Sequence, residues 1–139
     1  MITYHFVAET PEFNKKDYTD WITQVISGKG QVPGELTYIF CSDEYLWEMN
    51  RKFLKHDYYT DIITFPIESP GSVSGDLYIS IDRVKENAVL FGAEIMVELR
   101  RVMIHGVLHL MGWTDETPET KGEMRVEEDA ALQMFHVKH

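Results

Sequence analysis

The stretch "IMVELRRVMIHGVLHLMGWTD", residues 95–115, carries the strongest helical signal in the chain. Ile95, Met96, Leu99, Val102, Met103, Val107 and Leu110 recur at three- and four-residue spacing. They cover so much of the circumference that the helix, read from Ala93 to Met111, is expected in the core. His105 and His109 lie one turn apart on it, so both imidazoles occupy one face and can be directed toward one point. Gly112 can take the left-handed conformation that ends a helix and turns the chain back, returning Asp115 to the histidines.

Working outward, "DRVKENAVLFG" reads as a capped helix closed by Gly92, and "DLYISI" before it as a strand. "ESPGSVSG" is a loop, and "DIITFPI" a strand that Pro66 confines to an edge or a strand end. "DEYLWEMNRKFL" repeats Tyr45, Leu46, Met49 and Phe53 at helical period, with Ser42 or Asp43 as its cap. "GELTYIFCS" and "ITYHFVAE" read as strands. Between them, "KKDYTDWITQVISGKG" is an amphipathic helix with a glycine stop. A last helix, about 118–135, is acidic outside and packs through Met124, Ala131, Leu132 and Phe135. Strands mixed with helices, two of them joined by a loop near 67–74, predict an α+β domain with one small mixed sheet. The 139 residues, 44% hydrophobic and without repeat or linker, suit a single domain spanning 1–139.

A net charge of −10 excludes a protein that coats nucleic acid through its overall field, so any RNA contact must be local. Asp115, Glu116, Glu119, Glu123, Glu127, Glu128 and Asp129 crowd the last quarter, while Arg51, Lys52 and Lys55 form a small basic cluster; either run also reads as solvated helix surface. Cys41, the only cysteine, leaves no internal disulfide and reads as a buried thiol. With no leader pattern and no run of about 18 apolar residues, a cytoplasmic location away from membranes is expected.

Two imidazoles and a carboxylate are a normal ligand set for a divalent metal, zinc first, with a fourth position open to a water whose proton the metal makes acidic. The other reading is a pair of satisfied core or surface histidines. The spacing H-x3-H-x2-G-x2-D resembles the extended zinc motif of metzincin peptidases, with Asp115 replacing their third histidine. Gly106, however, stands where those enzymes carry the glutamate base of H-E-x-x-H. A peptide hydrolase would need another carboxylate, Glu123 or Glu127 being the first suspects.

"RRVMIHGVLHLMGWTD", together with "LWEMNRKFLKHDYYTDIITFPIE" and "GDLYISI", resembles the YbeY family, metal-dependent endoribonucleases of ribosomal RNA maturation. The resemblance runs over about residues 35–135. It implies a four-stranded mixed sheet packed with about five helices around a metzincin-like metal helix. It also implies one Zn2+ per chain, bound by His105, His109 and Asp115. The family's third ligand is usually histidine; an aspartate oxygen keeps the ligand count and broadens the choice of metal. Many members carry an arginine where this chain has Leu54, and its role is not carried over; Lys52 or Lys55 is the nearby substitute.

The implied activity is single-strand-selective endoribonucleolysis of ribosomal RNA precursors, in 16S maturation and ribosome quality control, with ribosomal subunits or assembly proteins as further partners. A confined groove of Arg51, Lys52, Lys55 and Arg83 would hold the RNA. The alternatives are a non-catalytic ribosome-assembly factor with a structural zinc, or a zinc hydrolase of another substrate such as a peptide. Asp57 and Asp61 read as organisers of the turn into the strand, Ser80 as a cap, and Trp113 as packing in the hinge or a base-stacking platform.

Overall fold

The computed structural model describes residues 1–54 and 60–135. Its elements are β1 (Ile2–Phe6), α1 (Lys15–Gly28), β2 (Val32–Cys41), α2 (Asp43–Phe53), β3 (Ile62–Pro66), β4 (Ser72–Ser80), α3 (Ile81–Phe91), α4 (Ile95–Leu110) and α5 (Pro118–Gln133). The four strands form one mixed sheet in the order β1-β2-β4-β3. β1 and β4 run parallel to β2, and β3 returns antiparallel to β4 as the expected hairpin. Pro66 ends edge strand β3, so its missing N–H leaves no gap inside the sheet.

The alternation of side chains sorts the sheet into two faces. Leu36, Tyr38, Phe40, Leu77 and Ile79 point into the main core with α1, α3, α4 and Ala131 of α5. Cys41, Ile63, Phe65 and Tyr78 point the other way, onto Leu46 and Met49 of α2. α4 takes the central place its periodicity predicts, with Leu99, Met103, Ile104, Val107 and Leu108 fully buried. Tyr38 donates its hydroxyl to the Met103 carbonyl at 3.0 Å, and Trp21 donates Nε1 to the Ala131 carbonyl at 2.7 Å, tying the sheet to α4 and α1 to α5.

α4 approaches the sheet closely at Gly106. A Cβ there would lie 2.5 Å from Leu77 Cδ2 and 2.6 Å from Ile62 Cδ1. The glycine that breaks the H-E-x-x-H pattern is therefore also the point where the helix seats on β3 and β4.

Ser42, rather than Asp43, caps α2, accepting from the Tyr45 N–H at 3.1 Å; Asp43 is freed to grip Arg83. β2 and β4 begin earlier than the stretches read as strands, because Val32 and Pro33 pair with Ser72 and Val73 across the sheet. That pairing draws the polar stretch 72–75, read as loop, into a strand. α4 begins at Ile95 because Gly92, at φ 64°, closes α3 and the Ala93 N–H bonds back to the Ala88 carbonyl. Among the described residues, no helix is long and apolar enough to cross a membrane.

Candidate active site

The end of α4 builds the site. Gly112, at φ 104°, follows the C-cap Met111; its N–H bonds to the His109 carbonyl at 3.1 Å, and the Trp113 N–H to the Leu108 carbonyl at 3.0 Å. These are the two bonds of a Schellman turn. The chain reverses, and Thr117 starts α5 through a capping box with Thr120, with Pro118 in the first turn. Asp115, between the two helices, lands with Oδ2 3.5 Å from His105 Nε2.

The other ring nitrogen of His105 is engaged from α5: Nδ1 lies 2.6 Å from Glu128 Oε2. Glu128 is only 5% exposed. Arg101, one turn before His105, donates to Glu128 Oε1 at 3.0 Å and to Asp129 Oδ1 at 2.7 Å. A line of polar contacts thus runs from Arg101 through the buried Glu128 and the imidazole to Asp115. Burial alone would depress the His105 pKa, but the Glu128 hydrogen bond and the charges of Glu128, Asp115 and Asp61 outweigh it and hold it above its ordinary value. Burial raises Asp61, against the lowering influence of His105. Burial also raises Glu98, with Arg101 opposing.

His105, His109 and Asp115 line one cavity of about 350 Å³, with Thr60, Asp61, Ile62 and Thr64 as its other wall. A larger cleft of about 510 Å³ shares His105, Asp115 and Asp61 and extends between α3, α4 and α5, past Phe91, Lys121 and Arg125. The His109 ring is solvent-exposed and nearly parallel to that of His105, at 10° with centroids 6.4 Å apart. Among the described residues, no three His, Cys, Asp or Glu side chains are already gathered into a metal-binding cluster. The donor chemistry nonetheless suits a divalent cation: two imidazoles and a carboxylate face one polar cavity, and the buried nitrogen of His105 is taken by a carboxylate.

The predicted RNA contacts are dispersed. Arg51 and Lys52 line a separate shallow pocket of about 260 Å³ with Glu48 on α2, the Arg51 guanidinium 4.7 Å from the Trp47 ring. Arg83 is held by Asp43, at 3.0 Å and 3.2 Å, and by Glu86 at 3.5 Å, so it ties α3 to α2. Lys55 and Asp57 lie outside the described residues. Leu54 ends α2 as its C-cap, 39% exposed. Trp113 is half-buried in the hinge with the Lys29 ammonium 5.1 Å from its ring. Ser80 caps α3, accepting from the Arg83 N–H at 3.1 Å.

Glu128 and Arg101 escape a reading of the sequence by motif. Of the suspected acids on α5, Glu127 pairs with Lys29 at 2.5 Å and Glu123 is exposed. Glu128 is the one that faces inward, because it shares a stripe with Met124 and Ala131. A carboxylate at three- and four-residue spacing from apolar neighbours was the available signal.

A family model described as Endoribonuclease YbeY matches residues 3–136. The chain is 48% identical over 127 residues to endoribonuclease YbeY of Bacteroides thetaiotaomicron, covering 91% of this chain and 93% of that one. It is 42% identical over 138 residues to endoribonuclease YbeY of Flavobacterium psychrophilum, covering 99% of each. The solution structure of a Thermotoga maritima protein superposes with a TM-score of 0.66 at 27% identity, covering 97% of this chain and 89% of the other. A fold predicted from one central helix, a histidine pair seated on it and matches spanning nearly the whole chain lead to one conclusion: this chain belongs to the YbeY endoribonuclease family.

Proposed function

We propose that this chain is a metal-dependent endoribonuclease acting on single-stranded RNA, with His105, His109 and Asp115 as ligands of one zinc ion. The observation that carries the reading is that these three side chains line one cavity while Glu128 holds the inner nitrogen of His105. Bound there, zinc would supply Lewis acidity to the scissile phosphate and lower the pKa of a coordinated water. The chain's own residues do the rest. Glu128 and the packing of α4 orient His105; the turn at Gly112 places Asp115; His109 stands at the open rim. Asp61, in the cavity wall with a pKa raised by burial, is positioned to hold or release a proton beside a bound phosphate.

Family membership supports RNA as the substrate, and the finer assignment is single-stranded segments of ribosomal RNA precursors, in 16S maturation and ribosome quality control. The expected setting is the cytoplasm, in contact with ribosomal subunits or assembly proteins. The exposed Arg51 and Lys52 on α2, and Lys121 and Arg125 beside the larger cleft, supply local positive charge on an acidic protein. RNA affinity should therefore fall steeply with salt. Peptide hydrolysis is disfavoured, since Gly106 stands where a zinc peptidase carries its glutamate base, and a side chain there would run into Leu77 and Ile62.

The test is metal content and cleavage of a single-stranded ribosomal RNA fragment, comparing wild type with His109→Ala from parallel preparations. Zinc near one per chain with cleavage lost in the variant supports the ribonuclease. Bound metal with the same residual cleavage in both would refute it and favour a non-catalytic assembly factor.

A further inference from the structure

Every histidine in a ligand set must present one ring nitrogen outward with its lone pair free, and an imidazole left to itself exchanges between two tautomers. His105 is not left to itself. Nδ1 lies 2.6 Å from Glu128 Oε2. A carboxylate only accepts, so the proton of the neutral ring belongs on Nδ1 and the lone pair on Nε2. Nε2 is the atom on the cavity side, 3.5 Å from Asp115 Oδ2.

Glu128 is held for this task from behind. Its other oxygen accepts from Arg101 Nη1 at 3.0 Å, and Arg101 is anchored in turn by Asp129 at 2.7 Å. The acid sits 5% exposed between Met124 and Ala131, each 2% exposed, on the apolar stripe of α5. Burying a charged group there is unfavourable unless it is fully paired, and the two charge-assisted bonds supply the pairing. An ion pair needed only to join α5 to α4 would be complete with Arg101 alone; the second oxygen is committed to the imidazole.

We propose that Glu128 is a positioning residue that fixes the tautomer and ring orientation of His105, so that Nε2 is presented to the cavity. The affinity part of this inference rests on the reading of His105 as a metal ligand; the tautomer part does not. Where a histidine ligand is oriented by an outer carboxylate, loss of that partner weakens metal binding by about 10- to 100-fold.

The informative substitution is Glu128→Gln, which keeps size and shape. Glutamine has one oxygen for two donors, and the Arg101 guanidinium is the stronger claimant. Its amide nitrogen then faces Nδ1 and favours the tautomer with the proton on Nε2.

Nitrogen-15 NMR of the His105 ring in the metal-free full chain, carried to a pH at which the ring shifts stop moving and the imidazole is neutral, reads the tautomer directly. Titration with zinc against a chelating competitor reads the affinity. The expected result is the Nδ1–H tautomer in wild type, a shift toward Nε2–H in Glu128→Gln, and a zinc Kd about 10- to 100-fold weaker in the variant. An Nε2–H tautomer in wild type, a measurement that needs no variant to fold, would overturn the proposal. So would a folded Glu128→Gln with wild-type tautomer and wild-type Kd. Wild-type protein that shows the Nδ1–H tautomer but takes up no zinc would instead overturn the metal reading and leave the positioning role standing.

Discussion

Replacing Gly106 by alanine sets two known effects against each other. In a helix interior, alanine is favoured over glycine by about 1 kcal/mol. At Gly106 the new methyl would stand 2.5 Å from Leu77 Cδ2 and 2.6 Å from Ile62 Cδ1. Carbon atoms pack at about 3.5–4.0 Å, so each neighbour must retreat by about 1 Å. Both contacts are side-chain ends, but Leu77 is fully buried on an interior strand, so its retreat must disturb the packed core around it. Overpacking of this kind costs about 1–3 kcal/mol, leaving Gly106→Ala destabilised by about 1 kcal/mol net.

Gly122, inside α5, is the internal control: a Cβ there meets nothing within 4 Å, so Gly122→Ala should gain about 0.5–1 kcal/mol. The two variants should lie about 2 kcal/mol apart, a separation of about 1 M in urea midpoint for a slope near 2 kcal/mol per M. Urea unfolding followed by tryptophan fluorescence and circular dichroism measures both. If Gly106→Ala is stabilised as much as Gly122→Ala, α4 does not seat on the sheet at Gly106. The steric account of why the peptidase glutamate is missing then falls with it.

Three further outcomes are expected. Cys41 is fully buried, with a pKa pushed up to about 12 by burial and by the nearby Asp82 and Asp43, so iodoacetamide at about pH 8 should label it orders of magnitude more slowly in the native protein than in urea; equal rates would refute its burial. Glu98 has its pKa raised, which means that the folded state holds its proton more tightly than the unfolded chain does. Its contribution favours folding below the ordinary carboxylate value and is lost as pH rises through the raised value. Glu98→Gln should therefore gain stability relative to wild type on going from about pH 4 to about pH 7, and a flat difference across that range would contradict the shift. Trp21→Phe removes the 2.7 Å bond to the Ala131 carbonyl and should cost about 1–2 kcal/mol by thermal or urea unfolding; no loss would mean that the α1–α5 tie carries no energy.

Local signals determined much of this protein. The period of residues 95–110, the glycine stops at Gly92 and Gly112, a cap before α2 at Ser42 or Asp43, the serine cap at Ser80 and the partial alternation in β4 all act within a few residues, and each is legible without the rest of the chain. The histidine pair was legible for the same reason, because a four-residue spacing on a helix is itself a spatial statement. Tertiary structure decided what depends on partners far along the chain. Residues 72–75 are extended because β2 pairs with them, Arg83 is an ion-pair anchor because Asp43 lies beside it, and Gly106 is small because Leu77 and Ile62 press on it. Glu128 was one acid among several in a charged segment. Only the packing of α5 on α4, 23 residues away in sequence, turned it inward to His105, since burial and pairing are properties of neighbours in space.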